Sequence, residues 1–122
     1  MYNQYDYLLK PNNNTDKIPA GTYTVKIKNI GISQSKNNND IIITKFEIIS
    51  GVYCKKPIKY IRTIPTEIQS KSGQFKQKLL QSFISGLGIS SFDELDSVIG
   101  KIYNINVFYN NHNDYLDISF VN

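Results

Sequence analysis

Residues 21–28 read GTYTVKIK, and this stretch carries the clearest strand pattern in the chain. One side of the alternation holds Tyr23, Val25 and Ile27, and the other holds Thr24, Lys26 and Lys28. A period of two is typical of a β-strand with one buried face and one solvated face. We therefore predict a first strand that opens at Gly21 and fades near Gly31, with its lysines in solvent.

Two more strands are predicted directly after the first. A polar hairpin tip at 33–40 leads into a second strand at about 41–49, in which Ile42, Thr44, Phe46 and Ile48 share a face. A turn at 50–51 then leads into a third strand at about 52–64. Pro57 cannot donate a ladder hydrogen bond, so it indicates an edge or a bulge there. Because a bulge shifts the facing by one residue, either the pair Tyr60 and Arg62 or the pair Lys59 and Ile61 faces solvent.

The second half of the chain alternates helix and strand signals. Apolar residues at helical spacing predict a helix over about 74–85. Ser91 and Glu94 form a capping-box pattern that opens a second short helix at 92–99, closed by Gly100. A fourth strand is predicted at 101–109 and a fifth at 115–121, joined by a hairpin loop at 110–114.

This order of elements indicates one mainly β domain. Three meandering strands, a helix and two strands match the five-stranded Greek-key barrel called the OB-fold, in which the helix lies between strands 3 and 4. We assign residues 18–122 to this OB-fold domain. Residues 1–17, with an Asn run at 12–14, are predicted to be a flexible or loosely docked N-terminal segment.

Charge is distributed unevenly along the chain. From Lys17 to Lys78 there are twelve basic and three acidic residues, whereas from Leu79 onward there are one basic and five acidic residues. Tyrosines are interleaved with the lysines of the basic part. Cations that follow phosphates and flat rings that accept unstacked bases are the two ingredients of a single-strand binding groove.

Catalytic constellations are weak, so we predict a protein that is not an enzyme and binds no cofactor. The single histidine, His112, lies in a polar turn with only Asp114 nearby, and one histidine and the single Cys54 cannot build a zinc site. The acidic cluster of Asp93, Glu94 and Asp96 opens a helix, where the dipole favours carboxylates. Gly86 and Gly88 follow a helix and do not open a phosphate loop.

The N-terminal residues, the length of the apolar runs and the cysteine content indicate a cytoplasmic protein. The first ten residues hold no apolar core of a signal peptide, and no apolar run approaches the ~20 residues of a membrane helix. A single thiol fits a reducing compartment. We therefore expect a cytoplasmic protein without a membrane partner.

The predicted nucleic-acid interface combines basic and aromatic residues of the strands and hairpins. Its candidates are Lys26, Lys28, Lys36, Lys45, Tyr53, Lys55, Lys56, Lys59, Tyr60, Arg62, Tyr109 and Tyr115. Tyr109 and Tyr115 flank the last hairpin, where they either stack on bases or brace the loop. We predict no catalytic residue and no metal ligand.

Several segments resemble the short OB-fold single-stranded-DNA-binding proteins of bacteriophages. The resemblance lies in residues 18–23, the tip at 33–37, the strand end at 46–51, the basic third strand and residues 95–101. It implies sequence-tolerant binding of single-stranded DNA in a phage replication or recombination module, within the host cytoplasm. It also implies single-stranded DNA as the main partner, with replication or recombination proteins as further partners. The sequence leaves the oligomeric state open, and a homodimer is one alternative because OB-folds often dimerise through exposed strand edges.

Two rival functions fit the same sequence. Small OB barrels also bind proteins, so a phage-encoded inhibitor or a replication accessory factor is the alternative interpretation. RNA or tRNA binding on the same basic face is the third. An electrophoretic shift with single-stranded oligonucleotide separates the protein–protein interpretation from the other two.

Overall fold

A computed structural model describes residues 18–36, 38–110 and 115–121, and these form five strands and two helices. The elements are β1 (Gly21–Gln34), β2 (Asp40–Ile48), β3 (Pro57–Thr63), α1 (Lys71–Leu87), a 3₁₀ helix (Phe92–Val98), β4 (Ile102–Tyr109) and β5 (Leu116–Phe120). The expectation of a mainly β chain is confirmed. The predicted flexible segment at 1–17 lies outside the described residues.

The five strands form one antiparallel sheet in the order β3-β2-β1-β4-β5. The β2–β3 connection is a short turn, so these strands pair as a hairpin, and β4 lies on the far side of β1. The sheet therefore has two edge strands, β3 and β5. Pro57 is the first residue of an edge strand, a position where its missing N–H leaves no gap in the ladder.

One face of the sheet forms the core. Its fully buried strand residues include Val25, Ile27, Ile42, Phe46, Ile48, Ile105 and Val107. Thr44 lies among them, and its hydroxyl has no hydrogen-bond partner among the described residues. The predicted facing of the second strand is confirmed. Burial of this continuous apolar face, at about 25 cal/mol per Å², is the main force that holds the sheet together.

β1 is longer than the sequence pattern indicates. Its pairing with β2 shifts register between Ile27 and Asn29, which inserts one extra residue into β1. The bulge explains why the alternation fades after Lys28, since the residue spacing changes there while Ile30 returns to the core. The strand then continues to Gln34, through part of the predicted hairpin tip.

α1 closes one end of the sheet with an apolar stripe. Leu80, Phe83 and Leu87 are buried, and the Phe83 ring lies 5.7 Å from that of Phe120 in β5. The Ser70 hydroxyl accepts from the Gly73 amide and fixes the start of the helix. The helix is therefore three residues longer at its start and two longer at its end than the predicted 74–85.

Two further predictions are corrected. Residues 51–55 form a turn, so the third strand begins at Pro57 and not at 52. The second helix is a 3₁₀ helix, in which the Ser91 hydroxyl accepts from the Asp93 amide. The Glu94 carboxylate accepts from the Ser90 amide, one residue before the partner that a capping box requires.

Candidate nucleic-acid interface

The surface of β1, β2 and β3 that faces away from the core, here called the outer face, carries three lysines from three neighbouring strands. Lys45 of β2 lies directly opposite Lys59 of β3, and Lys28 lies at the β1 bulge beside the Asn29–Lys45 pair. All three are exposed. We call Lys28, Lys45 and Lys59 the lysine row. Neighbouring strands are about 4.8 Å apart, so the row spans about 10 Å across the sheet.

The β1 bulge helps to build the lysine row. In a bulge two residues of one strand oppose a single residue of its partner. Here Lys28 and Asn29 together oppose Lys45, and both are exposed. The irregularity that interrupts the sequence pattern therefore places a third cation beside the cross-strand lysine pair.

Within the described residues, none of the three members of the lysine row forms an ion pair. Like charges directly opposite each other destabilise a sheet. Lys26 differs, because it is half-buried and its cross-strand neighbour in β2 is Glu47. An anionic ligand would relieve the repulsion between Lys45 and Lys59.

An apolar row lies beside the lysine row on the outer face. Gly31 of β1, Ile43 of β2 and Ile61 of β3 are opposite one another in register. The Ile61 side chain is 48 % exposed although it is large and apolar. We call Gly31, Ile43 and Ile61 the apolar row. Cations and apolar surface therefore adjoin on one side of the sheet.

The expectation that Tyr60 and Arg62 belong to the exposed site is corrected. Tyr60 is 3 % exposed and packs against Phe83, with ring centroids 5.3 Å apart. Its hydroxyl donates to Asp117 Oδ1 at 3.0 Å. Strand alternation restarts at Pro57, so Ile58 and Tyr60 face the core and Lys59 faces solvent.

Arg62 serves the fold, and its guanidinium is not a free surface cation. It donates to Asp117 Oδ1 at 2.8 Å, contacts the Tyr60 hydroxyl and lies 5.0 Å from the centre of the Tyr60 ring. Its side chain is 14 % exposed, and its Nε has no hydrogen-bond partner. The ion pair joins β3 to β5, the two edges of the sheet.

Tyr53 and Tyr109 belong to a tyrosine cluster that braces the start of the described chain. The rings of Tyr23 and Tyr53 meet edge to face at 6.1 Å. Tyr109 donates to the Ile18 carbonyl and Tyr23 to the Pro19 carbonyl, each at 2.6 Å. Burial, followed by the neighbouring Tyr53 and Tyr109, raises the pKa of Tyr23. Of the two roles considered for Tyr109, bracing is the one that its contacts support.

The remaining candidates lie in the connections between strands. Lys36 is exposed in the β1–β2 hairpin, Lys55 is exposed in the 51–55 turn with φ +73°, and Lys56 is half-buried. Tyr115 is 71 % exposed, just before β5. The predicted loop at 110–114 falls largely on residues 111–114, which include His112 and Asp114 and lie outside the described residues.

The start of β2 and the start of β5 lie near the C-terminal end of β3. Thr63 pairs with Ile41, and Ile64 donates to the Asp40 carbonyl at 2.9 Å. The Arg62–Asp117 pair brings the start of β5 to the same end of β3. The end of β3 is therefore bordered by the starts of β2 and β5.

Sequence reasoning missed Phe108, an exposed ring near the same border. It is 39 % exposed and lies opposite Asp117 in the β4–β5 register. It also lines a groove of about 790 Å³ between α1 and the two edge strands. The signal was present in the sequence, because Phe108 is out of phase with the core positions Ile105 and Val107.

Other kinds of site find no support in the described ranges. Among residues 18–36, 38–110 and 115–121, no three His, Cys, Asp or Glu side chains are grouped to hold a metal ion. Cys54 is exposed in the 51–55 turn. None of the helices in the described part combines the length and the apolar character that crossing a membrane requires.

Comparison with protein-family models identifies the family of the chain. It matches the family described as "Protein of unknown function (DUF669)" over residues 9–122, which is nearly its whole length. The chain therefore belongs to this family. A search of curated proteins finds no match.

Proposed function

We propose that this protein binds single-stranded DNA with little sequence preference, through the outer face of β1–β3, and carries out no catalysis. The observation that carries the proposal is the lysine row, three exposed cations that are aligned across three strands and form no ion pair with any residue the structure describes. The adjoining apolar row supports it, because a nucleotide presents both a phosphate and an apolar base. Surface lysines alone are common, but a directly opposed pair costs stability and calls for a compensating ligand.

We further propose that the sheet curves into an OB-type barrel. Its strand order, the helix between β3 and β4 and the Arg62–Asp117 link between the two edge strands all support this arrangement. In OB-folds the face of strands 2 and 3 and the hairpins beside it bind oligonucleotides. Lys45, Lys59 and Ile61 lie on the corresponding face here.

Binding would be driven mainly by electrostatics. Each phosphate neutralised on a single strand releases condensed counterions, and the logarithm of the affinity falls by about 0.7 per unit of log salt for each such contact. Three phosphate contacts at the lysine row would give a slope of about −2. Because phosphates carry no sequence information, the preference among bases would be weak.

We assign base stacking to exposed rings, because Tyr53, Tyr60 and Tyr109 pack within the fold. Tyr115 and Phe108 are exposed near the border where β5 meets β3. A base stacked on an aromatic ring gains about 1–3 kcal/mol, so either ring would add measurably to the affinity. Within this proposal the protein protects single strands during replication or recombination and recruits proteins of the same process.

The test is a fluorescence-anisotropy titration of labelled oligo-dT at several salt concentrations. We expect tight binding at low salt, a log–log slope near −2 and stronger competition by single-stranded DNA than by duplex DNA. Competition by single-stranded RNA decides between DNA and RNA as the ligand. Absence of binding at low salt would overturn the proposal and favour the protein–protein interpretation.

A further inference from the structure

Gly31 occupies the interior of β1 without a reason supplied by the fold. Of the seven glycines in the chain, Gly21, Gly51, Gly88 and Gly100 have positive φ, and Gly73 and Gly86 are so crowded that a Cβ would lie 2.1 Å from a neighbour. Gly31 shows neither feature, since a Cβ there would meet no atom of the described part of the chain within 4 Å. Glycine inside a strand costs about 0.5–1 kcal/mol relative to alanine.

The position of Gly31 suggests what compensates for this cost. It lies on the outer face, opposite Ile43 and one step from the lysine row. Glycine in a strand often marks a place where a ligand approaches the backbone closely. The missing side chain leaves a gap at the β1 end of the apolar row, next to Ile43 and at the opposite end of the row from Ile61.

We propose that the apolar row is the nucleobase-contact surface, with Gly31 leaving room for a base to lie against the β1 backbone. This inference rests on the proposed function. It assigns the bases of the ligand to the apolar row and its phosphates to the lysine row. Same-face positions repeat every two residues, about 6.8 Å along a strand. The lysine row and the apolar row are therefore close enough to contact the phosphate and the base of one nucleotide.

The chemistry of the apolar row makes the contact insensitive to base identity. Ile43 and Ile61 offer no hydrogen-bonding side-chain atoms, and Gly31 offers no side chain. Every base has an apolar face, so any base can lie on this surface. All four bases would therefore contribute similarly to the affinity. The phosphates would contribute independently, through the lysine row.

The experiment compares oligo-dT with an abasic oligonucleotide of the same length and charge, by anisotropy titration at fixed salt. For the wild type we expect oligo-dT to bind about tenfold more tightly. Gly31→Val should reduce this ratio to near one and leave abasic affinity within about twofold, with Gly31→Ala between them. Thr22→Val is the matched control, because Thr22 is exposed on the same strand and pairs with Asn106 of β4.

The outcomes separate this inference from the proposed function. A Gly31→Val protein that keeps the wild-type ratio would overturn the inference, as would a wild type that binds both oligonucleotides equally. Either result leaves DNA binding itself standing, whereas failure of the wild type to bind both oligonucleotides would overturn both proposals. Should Gly31→Val fail to fold, Ile61→Ser tests the same surface, because Ile61 faces solvent and its loss should also lower the ratio.

Discussion

The Arg62 guanidinium of β3 donates to the Asp117 carboxylate of β5 at 2.8 Å, and this ion pair links the two edge strands of the sheet. The residues are 55 positions apart in the chain. Their side chains are 14 % and 29 % exposed, so water screens the pair only in part. Asp117 also accepts a hydrogen bond from the hydroxyl of Tyr60, a residue of the core.

Asp117→Asn should destabilise the fold by about 3 kcal/mol, because it leaves a largely buried guanidinium without its counter-charge. The free energy of unfolding from urea titration measures the change. Asp96→Asn is the control, since Asp96 is an exposed acid of the 3₁₀ helix. Equal effects of the two substitutions would show that the link does not hold the edges together.

Lys45→Thr should raise stability and lower DNA affinity at the same time. The substitution removes the cross-strand repulsion with Lys59 and introduces a good strand former, worth about 0.5 kcal/mol. The same change deletes one phosphate contact. Urea unfolding and oligo-dT titration on one preparation measure the change in stability and the change in affinity. A loss of stability together with unchanged affinity would contradict the role of the lysine row.

Thr44→Val should stabilise the protein by about 1 kcal/mol. The Thr44 hydroxyl is fully buried and finds no hydrogen-bond partner in the part of the chain that the structure describes, so its desolvation is uncompensated. Valine has nearly the same shape and removes the polar atom. Thermal unfolding provides the measurement, with Thr22→Val as a solvent-exposed control on the neighbouring strand. A destabilised Thr44→Val would mean that the hydroxyl is satisfied by water.

Acid should weaken the start of α1 through Glu67. Hydrogen bonds from the Ser70 hydroxyl, the Ser70 amide and the Gln69 amide lower the pKa of this carboxyl below its ordinary value. A depressed folded-state pKa contributes stability that is present above the unfolded pKa and lost as pH falls through the folded one.

Glu67→Gln should therefore reduce the melting temperature at pH 7, and the difference from the wild type should shrink as pH falls below about 4. Melting temperatures from pH 7 to pH 3 measure it. Glu47→Gln serves as the comparison, since Glu47 lies in β2, away from the helix start. A difference that stays constant with pH would show that the charge of Glu67 is not what supports the helix.

Local patterns were sufficient for most of the fold. The alternation around Val25, the shared face of Ile42 and Phe46, and the helical spacing near Phe83 each reflect burial within one element. The start of β3 was not predicted, because residues 51–55 carry strand-forming side chains but close a turn in which Lys55 adopts a left-handed backbone.

The candidate site was only partly predictable for a different reason. Tyr60 is buried because Asp117 satisfies its hydroxyl, and that partner comes from a strand 57 residues away. The lysine row needs the register between β2 and β3 and the bulge in β1, which no local pattern encodes. Composition indicates a basic surface, but only the pairing shows which lysines share one face.

A matched charge-reversal experiment tests the central claim most directly. Lys45→Glu with Lys59→Glu is compared with Lys71→Glu and Lys76→Glu, two exposed lysines of α1 whose reversal changes net charge equally. We expect the first pair to lower oligo-dT affinity at least tenfold and to reduce the salt slope by about 1.4, two phosphate contacts at about 0.7 each. The α1 pair should change affinity less than about threefold. Equal losses from both pairs would show that only the net charge matters, and would contradict a binding site on the outer face.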